Sequence, residues 1–162
     1  MKLAFEEIGQ RSAHEAGRQL LARLYLAETG EALPEIRCTP QGKPYFPGNG
    51  LHFSISHTKR MVFCALSRKN IGIDAEEMGR EVAPAVINRF LSESERQRQK
   101  AAPDPNAAAL RLWVLKESWA KFTGRGLGNY LKATDFAPGD PRIREIAGCY
   151  VAVMQEDDHG NV

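Results

Sequence analysis

The stretch between residues 36 and 77 constrains the fold most strongly, because it alternates short β-rich runs with turn residues. Runs of β-branched and aromatic residues bounded by Gly, Pro and Asn are typical of strands joined by tight connections. The predicted strands cover residues 36–39, 45–46, 51–56, 61–67 and 70–76. This stretch therefore predicts a small, mostly antiparallel sheet.

Helical periodicity precedes this sheet. Residues 12–29 carry apolar side chains at helical spacing, and Gly30 follows them as a stop signal. Ser12 and Glu15 have the spacing of a capping box at the start. The sequence therefore predicts an amphipathic helix over residues 12–29.

Helical segments return after the sheet. Residues 84–101 are predicted to be helical, with a second capping box at Ser92 and Glu95. Prolines at 103 and 105 predict a loop, and residues 106–123 predict a long helix that ends at Gly124.

The chain finishes with two further predicted strands, at residues 130–136 and 148–155, joined by a turn rich in Pro and Gly. A polar tail follows from Glu156 onward and is expected to be frayed. The order of elements predicts an α+β fold in one compact unit.

Composition excludes an intrinsically disordered chain, a collagen and a disulfide scaffold. The 162 residues include 22 Lys and Arg against 20 Asp and Glu, and 43% are hydrophobic, as in a soluble globular domain. The longest apolar run covers residues 61–66, far short of the ~20 residues that span a bilayer. We therefore expect no membrane segment and a cytoplasmic location.

The three cysteines are odd in number and widely spaced, and each lies in an apolar run: Cys38, Cys64 and Cys149. This pattern predicts buried, reduced thiols rather than disulfides or a zinc site.

The distribution of charge along the chain is uneven, since residues 1–70 carry 10 basic and 6 acidic side chains. A basic first half suits an anionic ligand or an acidic protein partner, although an ordinary solvated surface has the same composition. No basic run favours nucleic acid.

The segment Ile71-Gly72-Ile73-Asp74-Ala75-Glu76 is the most informative for chemistry. On a strand, alternate side chains share a face, so Asp74 and Glu76 are expected on one face, about 7 Å apart. Two such carboxylates repel each other unless a cation, a base or solvent lies between them. The segment is compatible with a Mg²⁺ site and with a solvated edge strand.

A third carboxylate lies on the predicted helix over residues 106–123. Trp113, Glu117 and Lys121 are four residues apart and therefore share a helix face. Glu117 and Lys121 have the spacing of an ordinary stabilising pair. However, Trp113 and Trp119 indicate that this helix packs on the core, where a charged row suggests a function.

Two further segments carry candidate phosphate contacts. In Gly42-Lys43-Pro44, the flanking residues stiffen a loop that presents the lysine ammonium, although a plain turn lysine has the same signature. In Phe53-Ser54-Ile55-Ser56-His57, the histidine lies at the end of a strand, where a structural role is equally open.

The glycines at 124, 126 and 128 follow a helix, whereas a dinucleotide-binding loop links a strand to a helix. They are interpreted as a helix stop and hinge.

The order of these motifs along the chain resembles that of the 4′-phosphopantetheinyl transferase superfamily, in particular its Sfp-like branch. The order is Gly42-Lys43-Pro44, Phe53 to His57, Gly72 to Glu76, Trp113-x-x-Lys116-Glu117-Ser118-x-x-Lys121 and Gly124-x-Gly126-Leu127. The resemblance implies two similar α+β lobes packed as a pseudo-dimer. It places a shortened N-terminal lobe at residues 1–70, a C-terminal lobe at residues 71–162 and the active site in the cleft between them.

The resemblance also implies an activity. Members transfer the phosphopantetheine arm of coenzyme A to a serine of an apo carrier protein, require Mg²⁺ and release 3′,5′-ADP. Accordingly, Asp74, Glu76 and Glu117 are expected to ligate the metal, and Glu117 is also expected to be the base, directly or through a water. Lys43 and Ser56 are expected at the 3′-phosphate end, and His57 and Lys121 at the pyrophosphate.

The expected partner is an acidic acyl or peptidyl carrier protein, and the expected oligomeric state is a monomer. Apolar residues after Glu77 are a second candidate docking groove for the carrier, namely Val82, Val86, Ile87, Phe90 and Leu91.

Two other functions use the same residues. One is a Mg²⁺-dependent hydrolase of a nucleotide or coenzyme A pyrophosphate, with water replacing the carrier serine. The other is a non-catalytic module that binds coenzyme A or a carrier protein.

Overall fold

The computed structural model describes residues 1–48 and 50–156, and it confirms the predicted α+β class. The strands are β1 Lys2–Glu7, β2 Arg37–Cys38, β3 Pro44–Tyr45, β4 His52–His57, β5 Met61–Ser67, β6 Ile71–Glu77, β7 Ile143–Ile146 and β8 Cys149–Gln155. The α-helices are α1 Ala13–Thr29, α2 Pro84–Phe90, α3 Glu93–Ala101 and α4 Pro105–Thr123, and a 3₁₀ helix covers Asn129–Ala133.

Two antiparallel sheets of three strands form the centre of the protein. The first has the order β1-β5-β4 and the second the order β6-β8-β7. Strands β2 and β3 form a separate two-stranded hairpin. The predicted single sheet over residues 36–77 is therefore wrong in two respects, because β2 and β3 form their own hairpin and β6 pairs with β8 in the second sheet.

The two sheets pack face to face, and one helix covers the outer face of each. The contact between the sheets is apolar and consists of Met61, Phe63, Ala65, Ile71, Ile73, Ala75, Cys149 and Val151. Helix α1 packs on β5, and α4 packs on β6 and β8. Each sheet thus has its own helix, and the division into domains at residue 70 stays a prediction.

Helix boundaries follow the predicted caps. The Ser12 side chain accepts from the backbone N–H of Glu15, and Gly30 ends α1 with a left-handed φ of 76°. The Glu15 carboxylate accepts from Gln19 and does not complete this capping box. The second box, Ser92 with Glu95, is complete.

Two boundaries differ from the prediction. The segment 84–101 is two helices, because Leu91 and Ser92 are extended and Ser92 caps a new helix. Pro105, predicted in a loop, is the first residue of α4, where its missing N–H costs nothing.

The predicted strand at 130–136 is wrong. Its place is taken by the 3₁₀ helix, and the Lys116 ammonium donates to the carbonyls of Leu131 and Thr134. Those carbonyls are therefore not free to pair with a neighbouring strand. Strand β7 lies further on, within the predicted turn.

Strand β1 was not predicted. It is an edge strand that carries Lys2, Glu6 and Glu7, and charge of this kind protects a sheet edge from pairing with other chains.

The cysteine prediction is correct in part. All three thiols are free, and Cys64 and Cys149 are buried, but Cys38 lies on the short strand β2 and is exposed.

At the start of the predicted tail, the backbone N–H of Glu156 donates to the carbonyl of Asn70. The rest of that tail lies outside the described residues. None of the described helices combines the length and the apolar character that crossing a membrane requires.

Gly72 permits the close approach of β6 to α4. A Cβ atom there would lie 2.2 Å from the carbonyl oxygen of Ser118 and 2.4 Å from the backbone nitrogen of Phe122. We expect Gly72→Ala to lower the free energy of unfolding by about 1–3 kcal/mol or more, because backbone atoms must move to admit the methyl group. Urea denaturation measures the change.

Gly139→Ala is the matched control, because a Cβ at Gly139 meets no atom within 4 Å. Equal urea midpoints for the two variants would contradict the proposed contact.

Candidate active site

The candidate site lies where β4 of the first sheet runs beside β6 of the second. Strand β6 is an edge strand, so the backbone N–H groups on its open side need acceptors. Ser54 Oγ accepts from the N–H of Ile73 at 3.0 Å, and Ser56 Oγ accepts from that of Ala75 at 3.1 Å. Two serine hydroxyls therefore link the sheets at this point.

Asp74 lies at the centre of the site and is only 5% exposed. Its Oδ1 accepts from Lys121 Nζ at 2.7 Å and from Ser56 Oγ at 2.9 Å. Its Oδ2 is buried and has no hydrogen-bond partner among the described residues. A buried carboxylate oxygen without a donor is costly, so this atom is available for a ligand that the protein does not supply.

Glu117 on α4 has an altered acidity. Burial, followed by the negative charge of Asp74, raises the pKa of Glu117 to about 7, and Lys121 partly opposes the shift. A carboxyl group with a pKa near neutral pH suits general acid–base chemistry. Lys121 bonds Asp74, so the simple helix pair with Glu117 is not the role of this lysine in the structure.

Glu76 forms an ion pair with Arg80, four residues further along the chain. Within residues 1–48 and 50–156, no three His, Cys, Asp or Glu side chains are arranged to hold a metal ion. The expected ligand set of Asp74, Glu76 and Glu117 is therefore not assembled. Lys121 and Arg80 compensate two of these carboxylates instead.

The chemistry of the donors nevertheless fits a hard divalent cation. All three expected ligands offer carboxylate oxygens, which Mg²⁺ prefers, and Asp74 Oδ2 lacks a donor. The negative charges of Asp74 and Glu76 both raise the pKa of Glu117, so the three carboxylates interact electrostatically.

Two cavities open beside these carboxylates. The first, of about 300 Å³, is lined by Lys43, Ile55, Glu117, Lys121 and the Gly124–Leu127 loop, among others. The second, of about 820 Å³, is lined on one side by His57 and Lys59 and on the other by Glu76 and Arg80. Asp74 lines neither cavity, but it bonds Lys121 of the first and lies two residues from Glu76 of the second.

Lys43 lines the first cavity but already has protein partners. Its Nζ donates to Asn70 Oδ1 and to the carbonyl of Phe122, both at 2.6 Å. Burial lowers the pKa of Lys43 to about 8. Since an ammonium has three donors, one N–H remains for a ligand.

Ser56 and His57 lie in very different environments. The Ser56 hydroxyl is 4% exposed and has both a donor and an acceptor within the protein. His57 is exposed at the end of β4, where it pairs with Val62 of β5, and its imidazole has no hydrogen bond to another described residue. The predicted contact of Ser56 with a 3′-phosphate stays a prediction, and its two internal bonds do not favour it.

Sequence reasoning missed three residues of the site. Ser54, like Ser56, accepts from a backbone N–H of β6. Asn70 directly precedes β6 and accepts from Lys43 Nζ. Arg80 follows Glu76 by four residues. The spacing of Glu76 and Arg80 was visible, but their pairing in a turn after β6 was not predictable from helical spacing rules.

Comparison with known proteins identifies the family of this chain. A family model described as the 4′-phosphopantetheinyl transferase superfamily matches residues 70–151, about half of the chain. The 4′-phosphopantetheinyl transferase Sfp of Bacillus subtilis strain 168 is 33% identical over 115 residues, which cover 68% of this chain and 49% of that protein. Another 4′-phosphopantetheinyl transferase of Bacillus subtilis is 41% identical over 92 residues, which cover 53% of this chain and 39% of that protein.

The uncharacterized protein YieE of Escherichia coli K12 is 35% identical over 147 residues, which cover 86% of this chain and 56% of that protein. The chain spans about half the length of the curated relatives it matches. The matched region contains β6, α4 and β8, and hence Asp74, Glu117 and Lys121. The chain belongs to the 4′-phosphopantetheinyl transferase superfamily.

Proposed function

We propose that this protein transfers the 4′-phosphopantetheine group of coenzyme A to a serine hydroxyl of an apo carrier protein and releases 3′,5′-ADP. The observation that carries the proposal is buried Asp74, which bonds Lys121 of the first cavity and has an Oδ2 without a hydrogen-bond partner among the described residues. Family membership supports the reaction class.

The proposed reaction is a displacement at phosphorus. The serine oxygen attacks the phosphorus that bears the pantetheine arm, the pyrophosphate P–O bond breaks, and 3′,5′-ADP leaves with the bonding electrons. The serine proton passes to Glu117, whose pKa of about 7 leaves a substantial fraction ionised at neutral pH. General-base action of this kind contributes about 10²–10⁴-fold to the rate.

Charge on the phosphate oxygens is the other demand, because phosphoryl transfer is catalysed mainly by positioning and electrostatic stabilisation. Lys121 lines the first cavity and His57 the second, which supports the proposal that both neutralise pyrophosphate oxygens. Lys43 supplies its remaining N–H to the nucleotide end of coenzyme A in the first cavity.

Asp74, Glu76 and Glu117 are the residues that would hold Mg²⁺. When bound, the ion neutralises charge on the pyrophosphate. Assembly of this site requires Lys121 and Arg80 to exchange their carboxylate partners for phosphate oxygens or solvent.

The two cavities suggest separate entrances for the two substrates. The nucleotide end of coenzyme A is assigned to the cavity beside Lys43, and the carrier serine is assigned to the cavity beside His57. An acidic carrier suits the basic residues 1–70. We place this reaction in the cytoplasm and in a monomer, with the cleft between two lobes as its site.

Intact mass spectrometry of a carrier protein tests the function. Incubation with coenzyme A, Mg²⁺ and an apo carrier should add one phosphopantetheine group to the carrier. Cleavage of coenzyme A with an unmodified carrier would favour the hydrolase instead. Binding without turnover would identify a non-catalytic module.

Lys43→Ala tests the assignment of the first cavity. We expect the dissociation constant for coenzyme A to rise about tenfold or more, because a charge-assisted hydrogen bond contributes about 1.5–3 kcal/mol. The transfer rate at saturating coenzyme A should change less. Isothermal titration calorimetry measures the affinity.

Lys59→Ala is the control for this experiment, because Lys59 lines the second cavity. Its affinity for coenzyme A should match that of the unaltered protein. An unchanged affinity in Lys43→Ala would remove the proposed role of the Gly42–Pro44 loop.

A further inference from the structure

The three glycines after α4 lie in a loop, residues 124–128 (the glycine loop), that forms one wall of the first cavity. Gly124, Gly126 and Leu127 line the cavity. Gly124 and Gly126 have φ values of 69° and 68°, in the left-handed region that favours glycine. Glycine-rich backbone samples many conformations unless other contacts restrict it. The shape of this wall therefore depends on the contacts that hold the glycine loop.

Tyr130 contacts the glycine loop at three points. Its hydroxyl donates to the carbonyl of Gly126 at 2.7 Å, and it also lies 3.1 Å from Thr123 Oγ1 at the end of α4. The guanidinium of Arg125 lies 4.2 Å from the centre of its ring. A Cβ atom on Gly128 would lie 3.2 Å from the ring, so the Gly128 backbone is close to it. One side chain thus joins three residues of the loop to the end of the helix.

The backbone that carries Tyr130 is itself anchored in the core. Tyr130 belongs to the 3₁₀ helix, and the next residue, Leu131, is 0% exposed. The Leu131 carbonyl accepts from the buried Lys116 ammonium at 2.6 Å. The phenol therefore projects from a fixed base toward a loop that has little intrinsic order.

We propose that Tyr130 is a positioning residue that holds the glycine loop, so that the wall of the first cavity is formed before the nucleotide end of coenzyme A binds. This inference rests on the proposed function for the identity of the ligand. Tyr130 lines neither cavity, so its effect on binding passes through the loop. A site that is formed in only a fraction of the molecules binds with an apparent affinity reduced by that fraction.

Tyr130→Phe tests the inference, because it removes the hydroxyl and keeps the ring beside Arg125 and Gly128. Calorimetry with 3′,5′-ADP, used as the probe for the first cavity, measures the affinity without carrier or turnover. The dissociation constant should rise about two- to tenfold, the range for the net contribution of one neutral hydrogen bond. The urea midpoint should match that of the unaltered protein, because water can replace this bond at the exposed surface.

Tyr150→Phe is the matched control. Tyr150 also lies beside a guanidinium, with Arg111 at 4.4 Å from the centre of its ring, and it lines neither cavity. Its loss of a hydroxyl should leave the affinity for 3′,5′-ADP unchanged.

The kinetics of transfer separate positioning of the loop from damage to the reacting groups. Tyr130→Phe should raise KM for coenzyme A by a similar factor and keep kcat within about twofold of the normal value. The reason is that the bond between Lys121 and Asp74 does not involve the glycine loop.

Four results would overturn the inference. They are an unchanged affinity for 3′,5′-ADP in Tyr130→Phe, an equal loss in Tyr150→Phe, a lower kcat with an unchanged KM in Tyr130→Phe, and no binding of 3′,5′-ADP by the unaltered protein. Binding that Tyr130→Phe weakens, in a protein that transfers nothing, would reject the proposed transferase activity and still support the role of Tyr130.

Discussion

Replacement of Asp74 by asparagine is expected to lower the transfer rate by about 10²–10³-fold or more, the range for loss of one electrostatic contact at a reacting centre. Asparagine keeps the size of the side chain but removes the charge that holds Lys121 and the oxygen proposed to bind the cation. The fold should persist, because Lys121 is 31% exposed and can be solvated. The rate of carrier modification, followed by mass spectrometry, measures the effect.

A second, partly buried ion pair provides a matched control for Asp74→Asn. The Asp140–Arg142 pair has side-chain exposures of 10% and 33%, close to the 8% and 31% of the Asp74–Lys121 pair. Asp140 is not among the residues lining either cavity of the site. Asp140→Asn should therefore transfer at the normal rate, and normal transfer by Asp74→Asn would exclude a catalytic role for Asp74.

Replacement of Lys116 by methionine is expected to have the largest effect on stability. Lys116 Nζ lies 2.8 Å from Glu95 Oε2, and both side chains are 0% exposed. Burial is the main cause that lowers the pKa of Lys116, opposed by its bond to Glu95. Removing one partner of a buried pair leaves an uncompensated charge, so the free energy of unfolding should fall by about 3–5 kcal/mol.

The same variant should loosen the segment after α4. Lys116 holds the carbonyls of Leu131 and Thr134, and Glu95 accepts from the N–H of Phe136 at 2.8 Å. Hydrogen exchange of residues 129–136 should increase in Lys116→Met. The double variant Glu95→Gln with Lys116→Met should regain part of the lost stability, because it leaves no buried charge.

An exposed pair gives the comparison for Lys116→Met. Arg37 and Glu35 form an ion pair whose side chains are 58% and 63% exposed. Arg37→Met should not change the urea midpoint measurably. An equally small effect of Lys116→Met would contradict the role of the buried pair.

Local patterns predicted the parts of the fold that depend on neighbouring residues. Alternation along residues 71–76 placed Ile71, Ile73 and Ala75 on one face, and these residues do pack against the first sheet. The cap at Ser92 and the stop at Gly124 are likewise local features, and both are confirmed.

Features that depend on distant partners were not predictable in this way. Lys121 bonds a carboxylate 47 residues earlier in the chain, and this contact requires the close packing of α4 on Gly72. The run at residues 130–136 has strand-like composition, but the Lys116 ammonium binds its carbonyls and the segment forms a 3₁₀ helix. In both cases tertiary contacts override local preference.

The roles of the site residues remain predictions that depend on the geometry around Asp74. The motif order indicated that Asp74, Glu117 and Lys121 act together. The structure adds that Ser56 and Lys121 share one oxygen of Asp74, while the other oxygen has no donor among the residues described. This asymmetry is what links the fold to the proposed chemistry.

The most direct test measures both products of one reaction, holo-carrier and 3′,5′-ADP, after incubation of the protein with coenzyme A, Mg²⁺ and an apo carrier. The proposed transfer predicts equal molar amounts of the two products. It also predicts neither product with a carrier whose acceptor serine is replaced by alanine. Release of 3′,5′-ADP from coenzyme A without the acceptor serine, or no holo-carrier with any apo acyl or peptidyl carrier tested, would contradict it.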